Sequence, residues 1–313
     1  MEAKPGIVPS HSIDVGFRWI TAGCAAIIFL VMAAIFVELI RNSLPSLHRF
    51  GLEFLFRNVW NPVTMEFGAA SSIFGTLVST LIAMLLAAPL SLAIALFLVE
   101  LAPPTLSAVV SRGIELLAAI PSIIYGMWGL FVFAPYLADH LQPLLNKYLG
   151  FLPLFQGPPL GIGMLSAGII LALMVLPFIC AVSRDVLAMV PVVLKESAYG
   201  MGSTTWEVTW KVSLPYGLRG IAGAMFLGLG RAIGETMAVT FVIGNDHSIS
   251  SSLFDPGNTI ASTLANEFAE ADSEIYQSSL IELALVLFLI TVLIQLLAHL
   301  WLQRLHRRLE GKP

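Results

Sequence analysis

Six apolar runs, each long enough to cross a bilayer, constrain this chain more than any other feature. They lie near Trp19–Ile40, Ala69–Val99, Ile114–Pro135, Gly161–Val182, Gly217–Gly244 and Leu280–Trp301. A hydrocarbon core of about 30 Å needs about 20 apolar residues per helix, and every run meets that length. Composition agrees: 57% of the 313 residues are hydrophobic and 12% are charged, whereas a soluble chain is roughly a quarter charged. The expected fold is an all-α polytopic membrane protein, with six transmembrane helices in residues 19–303 between tails 1–18 and 304–313. The second run is long enough to tilt or project, and Pro89 is expected to bend it. The first run is too long for a removable signal peptide, and Val37-Glu38-Leu39-Ile40-Arg41 offers no small-x-small cleavage site. Cys24 and Cys180 lie inside apolar runs without CxxC or Cys/His spacing, so they read as packing residues and no metal site is expected.

Lysine and arginine placement orients the bundle. With both termini inside, the inner side holds Lys4, Arg18, Arg112, Arg184, Lys195, Lys211, Arg219, Arg304, Arg307, Arg308 and Lys312. The outer side holds Arg41, Arg49, Arg57 and Lys147. Eleven against four makes both termini cytoplasmic. In the outer loop Arg41–Gly68, Phe50, Leu52, Phe54, Leu55, Phe56 and Trp60 stand among prolines. That fits an amphipathic element on the outer surface, or a loop packed on its own spans. The last outer loop, Asn245–Ser279, has six acidic residues and no lysine or arginine, which makes it a poor collector of anions. Its stretch Ala265–Ala271 favours helix, and a solvated face is expected. Glu38 and Glu282 read as interfacial residues at outer span ends, and Glu115 as one near the cytoplasmic end of the third run.

Residues 184–216 form a charged inner loop with helix signals. Pro191 suits a first helical position, the run Val192–Tyr199 follows, and Gly200 and Gly202 end it. Thr204 and Glu207 stand at capping-box spacing. A second short helix is expected to reach about Ser213 and to be stopped by Pro215. Trp206 and Trp210 share a face, one turn apart. Two short helices around a glycine turn make either a knob projecting into the cytoplasm or a helix pair resting on lipid headgroups.

Arg231 stands inside the fifth run. At about 1.5 Å per residue from Gly220 it lies roughly 16 Å into the span, near mid-membrane. An arginine there costs about 2.5–3.5 kcal/mol on insertion scales, so it should face protein or a water-filled path. Glu235 is four residues on and expected on the same helix face, but arginine-before-glutamate is the weaker order for such a pair. The guanidinium fork matches a tetrahedral oxyanion in bidentate geometry. Two readings stand: a buried ion pair fixing helix register, or a transport path. Gly230 and Gly234 make a GxxxG pair suited to close helix packing. Gly228-Leu229-Gly230-Arg231-Ala232-Ile233-Gly234 has the wrong spacing for a nucleotide loop. Tyr125, beyond a kink expected at Pro121, either lines the path or packs.

Glu196-Ser197-Ala198, three residues, Gly202, nine residues, then Val212-Ser213-Leu214-Pro215 resembles the EAA motif of ABC-importer permeases. Ser197 and Val212 are mild departures from alanine and isoleucine. The resemblance implies a type I importer permease fold whose knob is a coupling element seated in a groove of a separate ATP-binding subunit. Glu196, Ala198 and Gly202 would form that contact, with Leu214 and Pro215 closing the motif. Three stretches, Ile114–Gly129, Lys195–Gly202 and Leu229–Val239, look like the PstC family, permease subunits of bacterial phosphate-specific transport systems. They contain Pro121-Ser122-Ile123-Ile124-Tyr125-Gly126 and Gly230-Arg231-Ala232-Ile233-Gly234-Glu235-Thr236-Met237. That resemblance implicates Arg231 and Glu235 in phosphate passage, with Thr236 and Tyr125 beside them on the path. It implies a cell inner membrane location, a second, PstA-like permease, a homodimeric PstB-like ATP-binding subunit and an extracytoplasmic PstS-like phosphate-binding protein. ATP and Mg belong to the partner ATPase, and no cofactor is expected on this chain. It has no GxxxxGK[ST] sequence to hold ATP phosphates, so it is not expected to be an enzyme.

Other functions leave marks that differ. An intramembrane protease or lipid hydrolase needs GxSxG, HExxH or paired intramembrane aspartates, and none is present. A gated channel or sensor would use the same Arg/Glu pair but pass solute downhill without nucleotide. Sulfate and molybdate are the neighbouring substrates to phosphate.

Overall fold

The computed structural model describes residues 11–309. Six helices in it are long and apolar enough to cross a membrane: Asp14–Leu55, Ala70–Leu101, Ser122–Leu149, Met164–Ala188, Thr205–Ile233 and Glu274–Arg304. They are called the first to sixth spans. The fourth is the centre of the bundle, with 67% of its apolar window buried against none in the first span. The second span packs along it through small residues, among them Gly75, Thr76, Ser79, Ala83, Ala87 and Ser91. Small side chains let two backbones approach where lipid offers no hydrophobic driving force. Their hydroxyls donate to carbonyls, Ser79 to Gly75 at 2.7 Å and Ser91 across to Leu176 at 2.9 Å.

The first span pairs with the sixth. Phe36 stacks on Phe288 with ring centroids 5.3 Å apart, and Ser278 Oγ donates to the Asn42 carbonyl at 2.8 Å. Glu282 lies in this seam and is only 4% exposed, so it is a buried group and not the interfacial one expected. Glu38 does lie at the surface, 3.7 Å from Arg41.

Two of the expected spans are broken. Instead of one helix over Ile114–Pro135, the chain forms Pro104–Ala118, leaves helix at residues 119–121, and restarts at Ser122. Pro121 disfavours helix in the residue before it, so it separates two helices where a kink was expected. The expected Gly217–Gly244 span also differs at both ends. Its helix is continuous from Thr205 and ends at Ile233, and a separate helix, Met237–Ile243, follows. Pro215 therefore does not stop a knob helix. The π-helical turn Thr209–Ser213 precedes it, and Pro215 sits in the first turn of the next α-helical stretch. There its missing N–H costs little.

At the end remote from residues 184–216, the far end, the loop between spans five and six folds back over the bundle. Its carbonyls at Asp255 and Leu253 accept from Met164 and Leu165 N–H, and Val242 accepts from Gly163 N–H at 2.9 Å. These bonds satisfy donors that the fourth span's helix start would otherwise leave unpaired. Phe54 and Phe67 are fully buried beneath this cap with Trp60 against them, so that part of the 41–68 loop packs on its own spans. Leu52, Phe56 and Val63 remain exposed.

Candidate functional site

The break at Gly234-Glu235-Thr236 puts Arg231 in the last turn of the fifth span's helix. The seven residues of Met237–Ile243 then climb about 10 Å to the far edge, which Gly163 N–H bonded to Val242 O marks. Arg231 thus stands roughly half-way through a layer of about 30 Å, as its sequence position leads one to expect.

The pairing does not follow that expectation. Glu235 lies beyond the helix end, so it does not share a helical face with Arg231. Its Oε1 accepts from the Ala238 N–H at 3.2 Å, at the start of Met237–Ile243. A carboxylate is favoured at such an N-terminus. No ion pair or hydrogen bond holds the Arg231 guanidinium among the described residues. Instead it is exposed in a stripe with Leu227 and Gly234 that this chain leaves uncovered.

Thr236 Oγ1 donates to the Gly234 carbonyl at 3.3 Å, and the Thr236 carbonyl accepts from Thr240 Oγ1 at 2.7 Å. Across the break, Tyr125 is close enough for the Arg231 charge to act on its phenol. The Tyr125 hydroxyl donates to the Leu117 carbonyl at 2.9 Å, bridging the other helix break. Gly126 lets this helix approach: a Cβ there would fall 3.0 Å from Ala238 Cα. Both breaks therefore meet at one level, and Arg231, Glu235, Thr236 and Tyr125 come together there. An apolar cavity of about 430 Å³, lined by Leu117, Ile124, Tyr125, Trp128, Leu176 and Pro177 among others, opens beside them.

Gly230 and Gly234 part company. The sixth span's Gln295 donates to the Phe226 carbonyl at 3.0 Å, and a Cβ on Gly230 would meet its Nε2 at 2.8 Å. Gly234 packs against no other helix; the nearest atom to a Cβ placed there is Gly230 O at 3.7 Å. The GxxxG pair is thus one packing position and one helix end.

The knob is the helix Val192–Gly200 and the turn to Thr204; the second helix, expected to be short, is the start of the fifth span, and residues 184–188 end the fourth. Helix Val192–Gly200 turns at Gly202, whose φ of +89° is a conformation L side chains rarely adopt. A Cβ there meets nothing within 4 Å, so the requirement is conformational. Thr204 caps the next helix, its N–H donating to Glu207 Oε2 at 3.0 Å and its hydroxyl accepting from Glu207 N–H. Trp206 and Trp210 are exposed on one face with ring centroids 5.4 Å apart. Glu196, Gly202 and Pro215 are exposed, but Ala198 is 6% exposed and turned inward, its carbonyl accepting from Ser203 N–H. Its small size serves the hairpin's interior and not an outer contact. At the knob's root Arg184 is 3.0 Å from Glu115, so Glu115 is an ion-pair partner.

Sequence reasoning missed a far-end network centred on Glu267, 17% exposed. Trp60 Nε1 and Tyr276 OH donate to its Oε2, and His247 Nε2 lies 2.8 Å from its Oε1. His247 Nδ1 in turn lies 2.9 Å from the Asn258 side-chain amide. Burial pushes the Glu267 carboxyl up, but the hydrogen bonds from His247, Tyr276 and Trp60 prevail and hold it below the usual glutamate value. These residues are scattered over three sequence segments, so no local pattern signals them.

The family model for "Binding-protein-dependent transport system inner membrane component" matches residues 88–311. A "Phosphate transport system permease protein PstC" of Pasteurella multocida is 50% identical, over 99% of this chain and 98% of the relative. One of the same name from Haemophilus influenzae is 48% identical over 95% of each. A "Probable phosphate transport system permease protein PstC" of Methanocaldococcus jannaschii is 38% identical, over 92% of this chain and 93% of the relative. Among solved structures, a chain of the inward-facing MetNI methionine ABC transporter superposes with TM-score 0.57 at 18% identity, over 79% of this chain and 99% of that one. That likeness bears on the fold alone, which is the importer-permease fold expected.

Proposed function

The chain belongs to the family of binding-protein-dependent transport system inner membrane components, within its PstC phosphate-permease branch, and on that premise we propose how it moves inorganic phosphate. It is a multi-pass membrane permease that couples to a separate ATPase and hydrolyses nothing itself. The knob end faces the cytoplasm, with both termini, and the far end faces outward, as the basic residues favour. A phosphate-binding protein delivers the anion at the far end, and a second, similar permease covers the stripe bearing Leu227, Arg231 and Gly234. Two ATP-binding subunits, carrying ATP and Mg, seat the knob through Glu196, Gly202 and the exposed tryptophans.

The observation that carries this reading is Arg231, at the helix break that ends the fifth span and unclaimed by any carboxylate among the described residues. A guanidinium whose donors are unused offers a tetrahedral anion two parallel hydrogen bonds. Glu235, held at the start of Met237–Ile243, sets a negative charge nearby without quenching the site, so the anion is held briefly. Thr236 and Tyr125 line the same level. Specificity resides mainly in the binding protein.

Uptake of radiolabelled phosphate into sealed vesicles holding the full complex tests this. ATP-dependent uptake should resist competition by sulfate and molybdate. Uptake that runs downhill without ATP, or that sulfate displaces equally, overturns it.

A further inference from the structure

The docking helix Val192–Gly200 is tied to the bundle by a charge pair that is largely withdrawn from solvent. Lys195 Nζ lies 2.7 Å from Glu100 Oε1, with the side chains 17% and 6% exposed. Glu100 belongs to the π-helical last turn of the second span, Phe97–Leu101, and Ser107 Oγ pins that turn from the next helix by donating to the Leu98 carbonyl at 2.9 Å. Around it Ala95, Leu98, Leu187 and Ile221 are buried. The lysine at the start of the fifth span differs: Lys211 and Glu207 are 3.2 Å apart but 74% and 41% exposed. An exposed pair is screened and yields easily. One withdrawn from solvent is stiff, because separating its partners leaves uncompensated charge in a poor solvent for it.

The second span is a rod reaching both ends of the molecule. It packs along the fourth span, and at the far end its Thr76 Oγ1 accepts from Ile260 N–H at 3.0 Å, while Ser72 Oγ lies 2.6 Å from Asn258 Nδ2. The knob is covalently continuous with the fourth span and with the helix Thr205–Ile233 that ends beside Arg231; the Lys195–Glu100 contact ties it to the second span as well.

We propose that the Glu100–Lys195 pair is a coupling strut, with Glu100 a positioning residue through which movement of the docking helix reaches the second span. The second and fifth spans then move together. The inference rests on the ATPase-docking reading above.

The test uses the complete reconstituted complex with Glu100→Gln, Lys195→Gln, and the swap Glu100→Lys with Lys195→Glu. Glu100→Gln should keep the ATPase subunit attached and hydrolysing, while phosphate moved per ATP falls by at least about tenfold, since breaking a pair withdrawn from solvent is costly. The swap should restore that ratio to within about threefold, because it restores the pair. An unchanged ratio in both single variants overturns the strut, as does loss of assembly that the swap fails to repair. Failure of the unaltered chain to retain any ATPase subunit is a different result, and sinks the docking reading itself along with the strut.

Discussion

The far-end network and the break at the end of the fifth span each hold charged side chains, and they are built in opposite ways. At the far end every oxygen of Glu267 has a donor from the same chain: Trp60, Tyr276 and His247. At the break, Arg231 has no such partner among the described residues, while the adjacent Glu235 turns to a backbone N–H. A buried polar group that its own fold satisfies stabilises that fold. One left open inside a membrane is costly, and the cost persists where something else arrives to meet it. The first arrangement is architecture, and the second awaits a ligand.

Exchanging the charge at each place separates the two. Arg231→Gln should lower ATP-driven phosphate uptake by about a hundredfold or more, the effect of removing a charge-assisted partner. It should leave the melting temperature unlowered, because an expensive charge is gone from mid-membrane. Normal uptake, or a large loss of stability, would place Arg231 with the architecture instead. Glu267→Gln should do the reverse, costing roughly 2–3 kcal/mol of stability as one buried donor loses its acceptor, with uptake per folded complex within about twofold.

The same carboxylate has a pH signature. Its folded value lies below the ordinary 4.5, so its stabilisation is present above that ordinary value and is lost as pH falls through the folded one. Acid unfolding of the far-end cap, followed by hydrogen exchange at residues 245–267, should therefore begin below about pH 4.5 and shift in Glu267→Gln. A cap indifferent to pH in that window would show that the network is not held by charge.

At the knob, Gly202→Asp forces a side chain onto a φ of +89° and into the docking surface. Recovery of the ATPase subunit on co-purification should drop about tenfold, from backbone strain of the order of 1–2 kcal/mol plus the changed surface. Undiminished recovery would move the docking site elsewhere. The smallest effect is expected from Glu235→Gln. The amide still offers an oxygen to Ala238 N–H, and the lost charge at a helix start is worth about 0.3–1 kcal/mol, a two- to fivefold change in uptake. A loss as large as that of Arg231→Gln would mean that Glu235 touches the anion or the guanidinium during passage.

Much of this was legible in the residues. The six apolar runs, the capping box at Thr204 and Glu207, the exposed tryptophan pair and the depth of Arg231 all follow from spacing along a single helix. Less was legible where an interaction is decided by distant segments. Glu282 sits near a span end, yet it is only 4% exposed, with Ser46 of the first span against it. Ala198 lies in a docking motif but faces its own hairpin. Pro215 looks like a stop, and a π-helical turn just ahead of it lets the helix run on.

The sequence by itself determined that this chain crosses a membrane six times, displays a glycine-hinged knob, and carries a guanidinium half-way across. Those properties depend on transfer free energies and local backbone rules, which act residue by residue. Only the tertiary structure decided that the fifth span breaks beside Arg231, that Glu235 bonds to the following helix, and that Glu267 and Glu282 are covered. Partner choice among polar groups in a low-dielectric interior depends on which segments the fold brings within about 3 Å of one another, and neighbours in sequence do not specify that.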